Sequence, residues 1–220
     1  MSTSITSFDF EAWLERLALP ASAGQTEQLT QYAALLREVN TRINLVSRKD
    51  IEQLEVNHIL HALLGAHFFS VPAGFRVLDV GTGGGIPGIV LAILYPEATF
   101  TLLDSTQKKI QAVKDMAEAL LLKNIRCTWE RVEEHRPRYD AITGRAVSAL
   151  PDFWNRVRLR LDKASKDKPK SGVWYWKGGD LKDEIANLSP DVQTKTYDLG
   201  EIVTEWPYYE TKYLLYLKIR

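Results

Sequence analysis

The stretch Asp79-Val80-Gly81-Thr82-Gly83-Gly84-Gly85-Ile86-Pro87-Gly88 constrains this chain more than any other part of it. An apolar run over 75–80 precedes it and a second, over 86–94, follows, so it reads as the turn from a buried strand into a buried helix. Glycines in such a turn let the backbone reverse sharply and let a ligand approach where a Cβ would stand in the way. Pro87 suits the first turn of a helix, where its missing N–H costs nothing.

The flanking sequence supplies an alternating pattern. Phe8, Trp13, Leu14 and Leu17 space as one helix face that Pro20 ends. Leu29, Tyr32, Ala33, Leu36, Val39, Ile43 and Val46 predict a second helix over 26–46. Ile51, Leu54, Ile59, Leu63 and Phe68 predict a third over 50–69, in which Gly65 is only mildly unfavourable. Strands then follow over 75–80, 99–103, 125–129, 139–143 and 173–176, with helices over 86–94, 108–122, 150–161 and 181–188. Residues 194–202 and 213–219 read as two strands that pair as a hairpin across a long loop. Alternation of this kind predicts an α/β fold with a mainly parallel sheet and crossover helices on both faces. Segment 163–171 (KASKDKPKS) reads as a flexible, solvated insertion rather than an RNA contact.

Two ligand chemistries compete for the glycine turn. Residues 83–88 fit G-x-G-x-x-G, the dinucleotide pattern. Residues 79–85 fit D-x-G-x-G-x-G, the first motif of class I S-adenosylmethionine-dependent methyltransferases, and only this pattern uses Asp79. A glycine-rich turn without a ligand is the plain alternative. Asp104 ends the next strand, about 20 residues on, where a carboxylate can accept from both ribose hydroxyls or cap the helix that follows. Arg131-Val132-Glu133-Glu134 follows the third strand, on the side where an adenine would lie. Arg145 and Lys177-Gly178-Gly179 follow the fourth and fifth strands, beyond whose carboxyl ends ligands bind in open α/β sheets.

Composition bounds the partners. Lys plus Arg and Asp plus Glu are 28 each, so the net charge is zero, which disfavours a non-specific nucleic-acid binder but leaves room for a local patch. Arg126, Arg131, Arg136 and Arg138, with Arg156, Arg158 and Arg160 on the next helix, are candidates for a basic rim. Cys127 is the only cysteine, so neither an intrachain disulfide nor a four-thiolate zinc site is available. Residues 1–10 lack the charge and apolar run of a secretory leader, and no stretch is long enough to span a bilayer, so a cytoplasmic setting without a membrane partner is expected. Glu55, His58 and His61 share a predicted helix face, but no second ligand motif accompanies them; no metal is expected, and capping or RNA contact is the expected role. Trp174, Tyr175 and Trp176 read as core strand residues, with stacking on a flipped base as the alternative.

Several segments together resemble the ribosomal RNA small subunit methyltransferase G family, also called glucose-inhibited division protein B. They are Asn44-Leu45-Val46-Ser47, His58-Ile59-Leu60, the DVGTGGGIPG stretch, Leu102-Leu103-Asp104-Ser105, Arg131-Val132-Glu133-Glu134, Gly144-Arg145-Ala146 and Lys177-Gly178, in the family's order and spacing. The resemblance implies a class I methyltransferase fold, Rossmann-like, with a mostly parallel seven-stranded sheet over 73–220 and an N-terminal helical cap over 1–72. It implies S-adenosylmethionine as cofactor and N7 of a guanine in the decoding-region loop of 16S rRNA as target. The substrate would be the rRNA within the small ribosomal subunit or an assembly intermediate. It carries cofactor contact onto Gly81, Ile86, Val132, Glu133 and Arg145, to which the ribose argument adds Asp104. Two departures stand out: His61-Ala62 where the family has Asp-Ser, and Gly144 where it has Ser or Ala. Lys212 corresponds to a basic residue before the last strand.

Guanine N7 carries a free lone pair and no proton, so the expected chemistry needs positioning rather than a general base. Arg145 and Lys177 are the candidates for orienting the methionine carboxylate or an RNA phosphate. A nicotinamide-dependent oxidoreductase, a methyltransferase acting on another RNA or a small molecule, and a non-catalytic cofactor- or RNA-binding module are the alternatives.

Overall fold

The computed structural model describes residues 8–219; the start of the leader reading, on 1–7, lies outside it. Helix α1 (Phe10–Arg16) is capped by Asp9, whose carboxylate accepts from the Ala12 N–H. Helix α2 (Ala23–Asn40) opens on a reciprocal box in which Ser22 and Gln25 satisfy each other's backbone N–H groups. It stops at Asn40 rather than at Val46. The Asn40 side chain accepts from the Leu45 and Val46 N–H groups and donates to the Val46 carbonyl, replacing the helical ladder with a turn. The expected third helix is also broken: a 3-10 turn (Ile51–Gln53) and a π turn (Glu55–Ile59) precede α3 (Leu60–Phe68).

From Arg76 the chain alternates as the apolar pattern requires. The strands are β1 (Arg76–Val80), β2 (Thr99–Asp104), β3 (Ile125–Trp129), β4 (Ala141–Arg145), β5 (Gly172–Gly178), β6 (Val192–Asp198) and β7 (Lys212–Ile219). They form one sheet in the order β3-β2-β1-β4-β5-β7-β6. The first five run parallel, while β7 pairs antiparallel with both β5 and β6 as the expected hairpin. Helices α4 (Gly88–Leu94), α5 (Gln107–Ala119), α6 (Leu150–Val157) and α7 (Lys182–Ala186) connect them.

Alternation along the strands divides the core. Val77, Phe100, Leu102, Trp174 and Trp176 face α1 to α5, in one apolar cluster that runs unbroken from Phe10 to Leu214. Leu78, Leu103, Val173 and Tyr175 face the opposite way, onto Leu150, Phe153 and Val157 of α6 and Leu181 beside α7. The N-terminal helices therefore share their core with the sheet.

Two differences from the sequence reading matter for the site. Strand β4 begins at Ala141 and runs through Gly144 and Arg145, with Gly144 beside Val80 and Tyr175. A Cβ on Gly144 would meet Phe153 Cζ at 2.5 Å, so the departure at this position follows from the phenylalanine ring beneath it. Segment 163–171 is also tied down. Ser165 is buried and donates to Asp140, Lys168 reaches the same carboxylate at 3.0 Å, and Lys170 donates to the Phe68 carbonyl at 2.7 Å.

Candidate functional site

The glycine turn is held from three sides. Gly81 and Thr82 donate to the Leu103 carbonyl at the end of β2, at 2.8 and 3.1 Å. Asp79 is fully buried and does not face solvent: its Oδ1 accepts from the Thr143 hydroxyl at 2.8 Å and its Oδ2 from the Gly88 N–H at 3.2 Å. Burial pushes this carboxyl up, opposed by those hydrogen bonds. The strand-end acid thus pins the start of α4 to β1 and β4. From above, α2 closes the turn, with Tyr32 donating to the Gly84 carbonyl at 2.8 Å.

The glycines of the motif divide by what surrounds them. A Cβ on Gly84 would stand 3.0 Å from Leu36 Cδ1, and one on Gly88 would stand 2.2 Å from Leu102 Cδ2. Both admit packed neighbours. Gly83 differs: φ is +57°, and a Cβ there would meet nothing nearer than the Gly81 carbonyl at 3.9 Å. Its N–H donates to Asp104 Oδ2 at 3.1 Å, and Asp104 Oδ1 accepts from the Thr106 N–H at 2.9 Å. Asp104 therefore closes a turn ahead of α5 rather than capping it, since the N-cap is Thr106, and its carboxylate, with lone pairs to spare, stands beside the open side of Gly83. An open turn next to a carboxylate at the carboxyl edge of a parallel sheet fits an adenosyl group and its ribose.

Arg145 ends β4 and turns back toward the N-terminal helices, where its guanidinium lies 2.6 Å from His58 Nδ1. Burial lowers its pKa, while Tyr208, Tyr32 and Asp79 favour its charge, so it stands electrostatically between the glycine turn and the segment before β7. A cleft of about 410 Å³ opens here, lined in part by His58, His61, Arg145, Trp176, Tyr208 and Lys212. Burial, Arg145 and Lys212 hold His61 well below its ordinary pKa, and burial together with Arg145 lowers His58 to about 3. Lys177 lines the same cleft but is already committed, to Glu184 at 2.9 Å and the Ser148 carbonyl at 3.0 Å.

The remaining sequence candidates are distributed as follows. The Ile86 side chain is buried and its N–H bonds the Thr82 carbonyl, while Val132 is buried and Glu133 is exposed beside Arg156 at 3.6 Å. Glu55 pairs with Arg37, so Glu55, His58 and His61 do not converge, and no metal-holding cluster occurs among the described residues. Trp174, Tyr175 and Trp176 are all buried, which excludes base stacking on Trp174 and Tyr175. Tyr175 instead accepts from the Val147 and Ser148 N–H groups at 3.0 Å each, fixing the loop after Arg145. Three of the candidate rim arginines are engaged within the fold, while Arg126, Arg131, Arg136 and Arg158 are exposed. Arg156 faces Glu133, Arg160 donates to the His135 carbonyl, and Arg138 donates to the Leu161 carbonyl near the amino end of β4, away from the ligand edge. Residue spacing marked Tyr32 only as a helix-face residue and Tyr175 only as core or stacking, and gave no sign of Tyr208, which enters from the segment before β7.

Comparison with known proteins decides between the remaining chemistries. Residues 25–204 match the family model of rRNA small subunit methyltransferase G. The chain belongs to this family. A ribosomal RNA small subunit methyltransferase G from Flavobacterium psychrophilum is 40% identical over 196 residues, covering 89% of this chain and 92% of that one. Its counterpart from Cytophaga hutchinsonii is 41% identical over 194 residues, covering 87% and 92%. Among solved structures, a ribosomal protein L11 methylase from Lactobacillus delbrueckii subsp. bulgaricus superposes with a TM-score of 0.55 at 17% identity, covering 73% of this chain and 77% of that one. Coclaurine N-methyltransferase bound to N-methylheliamine and SAH gives 0.54 at 11% identity, covering 94% and 92%. These last two share the fold. The protein is thus an S-adenosylmethionine-dependent methyltransferase of the methyltransferase G family. The nicotinamide reading fails on topology too, because β7 runs antiparallel between β5 and β6 where the dinucleotide fold continues in parallel.

Proposed function

We propose that this enzyme methylates N7 of a guanine in the decoding-region loop of 16S rRNA, within the small ribosomal subunit or an assembly intermediate, in the cytoplasm. The match to methyltransferase G over residues 25–204 carries this reading, with relatives named as ribosomal RNA small subunit methyltransferases. Among the described residues, no helix is long and apolar enough to cross a membrane.

We further propose Gly81, Ile86, Asp104, Val132, Glu133 and Arg145 as the cofactor contacts. The backbone at Gly81 and Ile86 shapes the turn, Asp104 accepts from the ribose hydroxyls, and Val132 and Glu133 border the adenine. When bound, S-adenosylmethionine supplies an electrophilic methyl group on a sulfonium. The protein's part is to exclude water and align the acceptor, since N7 needs no proton removed. The cleft agrees with this: it offers cations and imidazoles held neutral, and the His58 Nδ1 lone pair is spent on Arg145. With no net charge, structured subunits are expected to be methylated better than a short naked hairpin.

The test is to map the modified nucleotide in rRNA from a deletion strain and restore it with purified protein on undermethylated subunits. A missing methyl at a guanine N7 that the protein restores is expected. An unchanged methylation map ends the proposal. Arg145→Ala is expected to weaken S-adenosylhomocysteine binding and activity, and a variant normal in both would remove Arg145 from the site.

A further inference from the structure

Several donors in the cleft beside Arg145 are unanswered. Arginine only donates, so the 2.6 Å contact with His58 Nδ1 fixes that nitrogen as the acceptor and places the imidazole proton on Nε2. That Nε2 is buried and has no partner. His61 is 4% exposed, and neither of its ring nitrogens has a partner, although neutral imidazole must present one N–H. Lys212 enters from the start of β7, with Nζ 4.5 Å from the centre of the Tyr208 ring. Gly178 keeps that ammonium free to move, since a Cβ there would stand 2.9 Å from Nζ.

No carboxylate answers these groups. Lys177 has Glu184, but among the described residues neither Arg145 nor Lys212 has an acid within ion-pair distance. The acids that act on them through space, Asp79 and Asp50, are hydrogen-bonded by Thr143 and by Ser47. Desolvated cations and buried N–H groups without acceptors are both unfavourable, and one ligand with several anionic oxygens would relieve them together. A metal ion would add positive charge to a cleft that already holds Arg145 and Lys212 unpaired with any acid. The guanine edge that carries N7 offers acceptors too, but N7 must keep its lone pair for the methyl and O6 carries no charge, whereas a phosphodiester offers anionic oxygens.

We propose that this cleft is a phosphate subsite for the RNA substrate. It seats a phosphodiester next to the nucleotide being methylated, with His61, the His58 Nε2–H and Lys212 as donors and Arg145 linking it to the cofactor turn. The location supports this, because the cleft lies at the carboxyl ends of β4 and β5, beside the glycine turn. The inference rests on the rRNA reading above, so its test has one arm that needs no RNA.

In that arm, inorganic phosphate is titrated against the full-length protein at constant ionic strength, with chloride as the control. A saturable rise in Tm is expected for the wild type, with most of it lost in Lys212→Gln and His61→Gln. In the second arm, methylation of undermethylated small subunits is followed. Lys212→Gln should raise KM for subunits about tenfold, and lower the log–log salt dependence of binding by about one unit, while S-adenosylhomocysteine affinity stays within about twofold. Lys212 is partly exposed at a strand end, so this variant keeps the test decisive if His61→Gln fails to fold. Equal phosphate response and equal KM in variant and wild type would overturn the proposal. So would a loss of S-adenosylhomocysteine affinity with KM unchanged, which would assign the donors to the cofactor's carboxylate. A normal phosphate response in a protein that methylates no rRNA would uphold the subsite and refute the rRNA reading instead.

Discussion

Gly65→Ala is a sharp test of how the N-terminal helices are joined to the sheet. On propensity alone the substitution stabilises α3 by about 1 kcal/mol. The structure reverses the sign. A methyl at this position would stand 2.1 Å from Cζ2 and 2.3 Å from Cε2 of Trp176, whose indole is fully buried and donates from Nε1 to the His61 carbonyl at 2.8 Å. Moving the ring aside costs roughly 1–3 kcal/mol in overpacking, and breaking its buried hydrogen bond a further ~1–3 kcal/mol. The net expectation is a destabilisation of about 1–5 kcal/mol, at roughly 2–4 °C in Tm per kcal/mol for a chain of this size. Urea unfolding should show a lower midpoint with an unchanged slope. Gly24→Ala is the control: in the first turn of α2 its methyl would meet only Ser22 Oγ at 3.9 Å, so stability should hold or rise. Pairing Gly65→Ala with Trp176→Phe should recover part of the loss, since the phenyl ring is smaller. A Gly65→Ala protein at least as stable as the wild type, with tryptophan fluorescence unchanged, would refute the packing argument.

Three further perturbations address the loop and the docked insertion. Tyr32→Phe removes the donor to the Gly84 carbonyl and should cost about 0.5–1.5 kcal/mol, read as a shift in urea midpoint and a several-fold weaker S-adenosylhomocysteine titration. Gly83→Ala forces a side chain into the left-handed region at φ +57° and should cost about 1–2 kcal/mol in stability; calorimetric S-adenosylhomocysteine affinity equal to wild type would show that Gly83 does not face the cofactor. Burial alone would raise the Asp140 pKa, but donors from Ser165, Arg76 and Lys168 more than offset this and hold it well below the carboxylate range. A depressed folded-state pKa means the stabilisation is present above the unfolded value near ~3.9 and is lost as pH falls through the folded one. Asp140→Asn should therefore lose roughly 2–4 kcal/mol at pH 7, flatten the acid limb of stability below about pH 4, and open 163–171 to limited proteolysis.

Much of the fold was legible because it rests on periodicity. The strand over 125–129 and the β6–β7 hairpin needed only alternating apolar residues and their spacing. Boundaries failed where a side chain competes with the backbone. Asn40 satisfies the amides of Leu45 and Val46, so an apolar rhythm that continues to Val46 does not continue as helix. The lysine-rich stretch 163–171 is solvated over most of its length as expected, but its anchoring was hidden: composition shows the donors, while the Asp140 acceptor lies 25 residues from Ser165 along the chain. At the candidate site, sequence placed Arg145, Asp104 and the glycine turn at the carboxyl ends of their strands, where they lie, but did not show that Lys177 pairs with Glu184 or that Asp79 faces inward.

The glycine motif shows why a pattern can identify a ligand without naming the residues that face it. Gly84 and Gly88 are small so that Leu36 and Leu102 can close in, and Gly83 alone opens to free space. The cofactor turn is therefore shaped as much by what packs behind it as by what binds before it. Part of that packing comes from the N-terminal helices: Tyr32 and Leu36 of α2 press on the turn, and His58 and His61 flank Arg145. Substitutions in this region should accordingly alter cofactor and RNA affinity with no residue of the sheet changed. An N-terminal helical region serving only as a lid would instead alter release rates and leave both affinities in place.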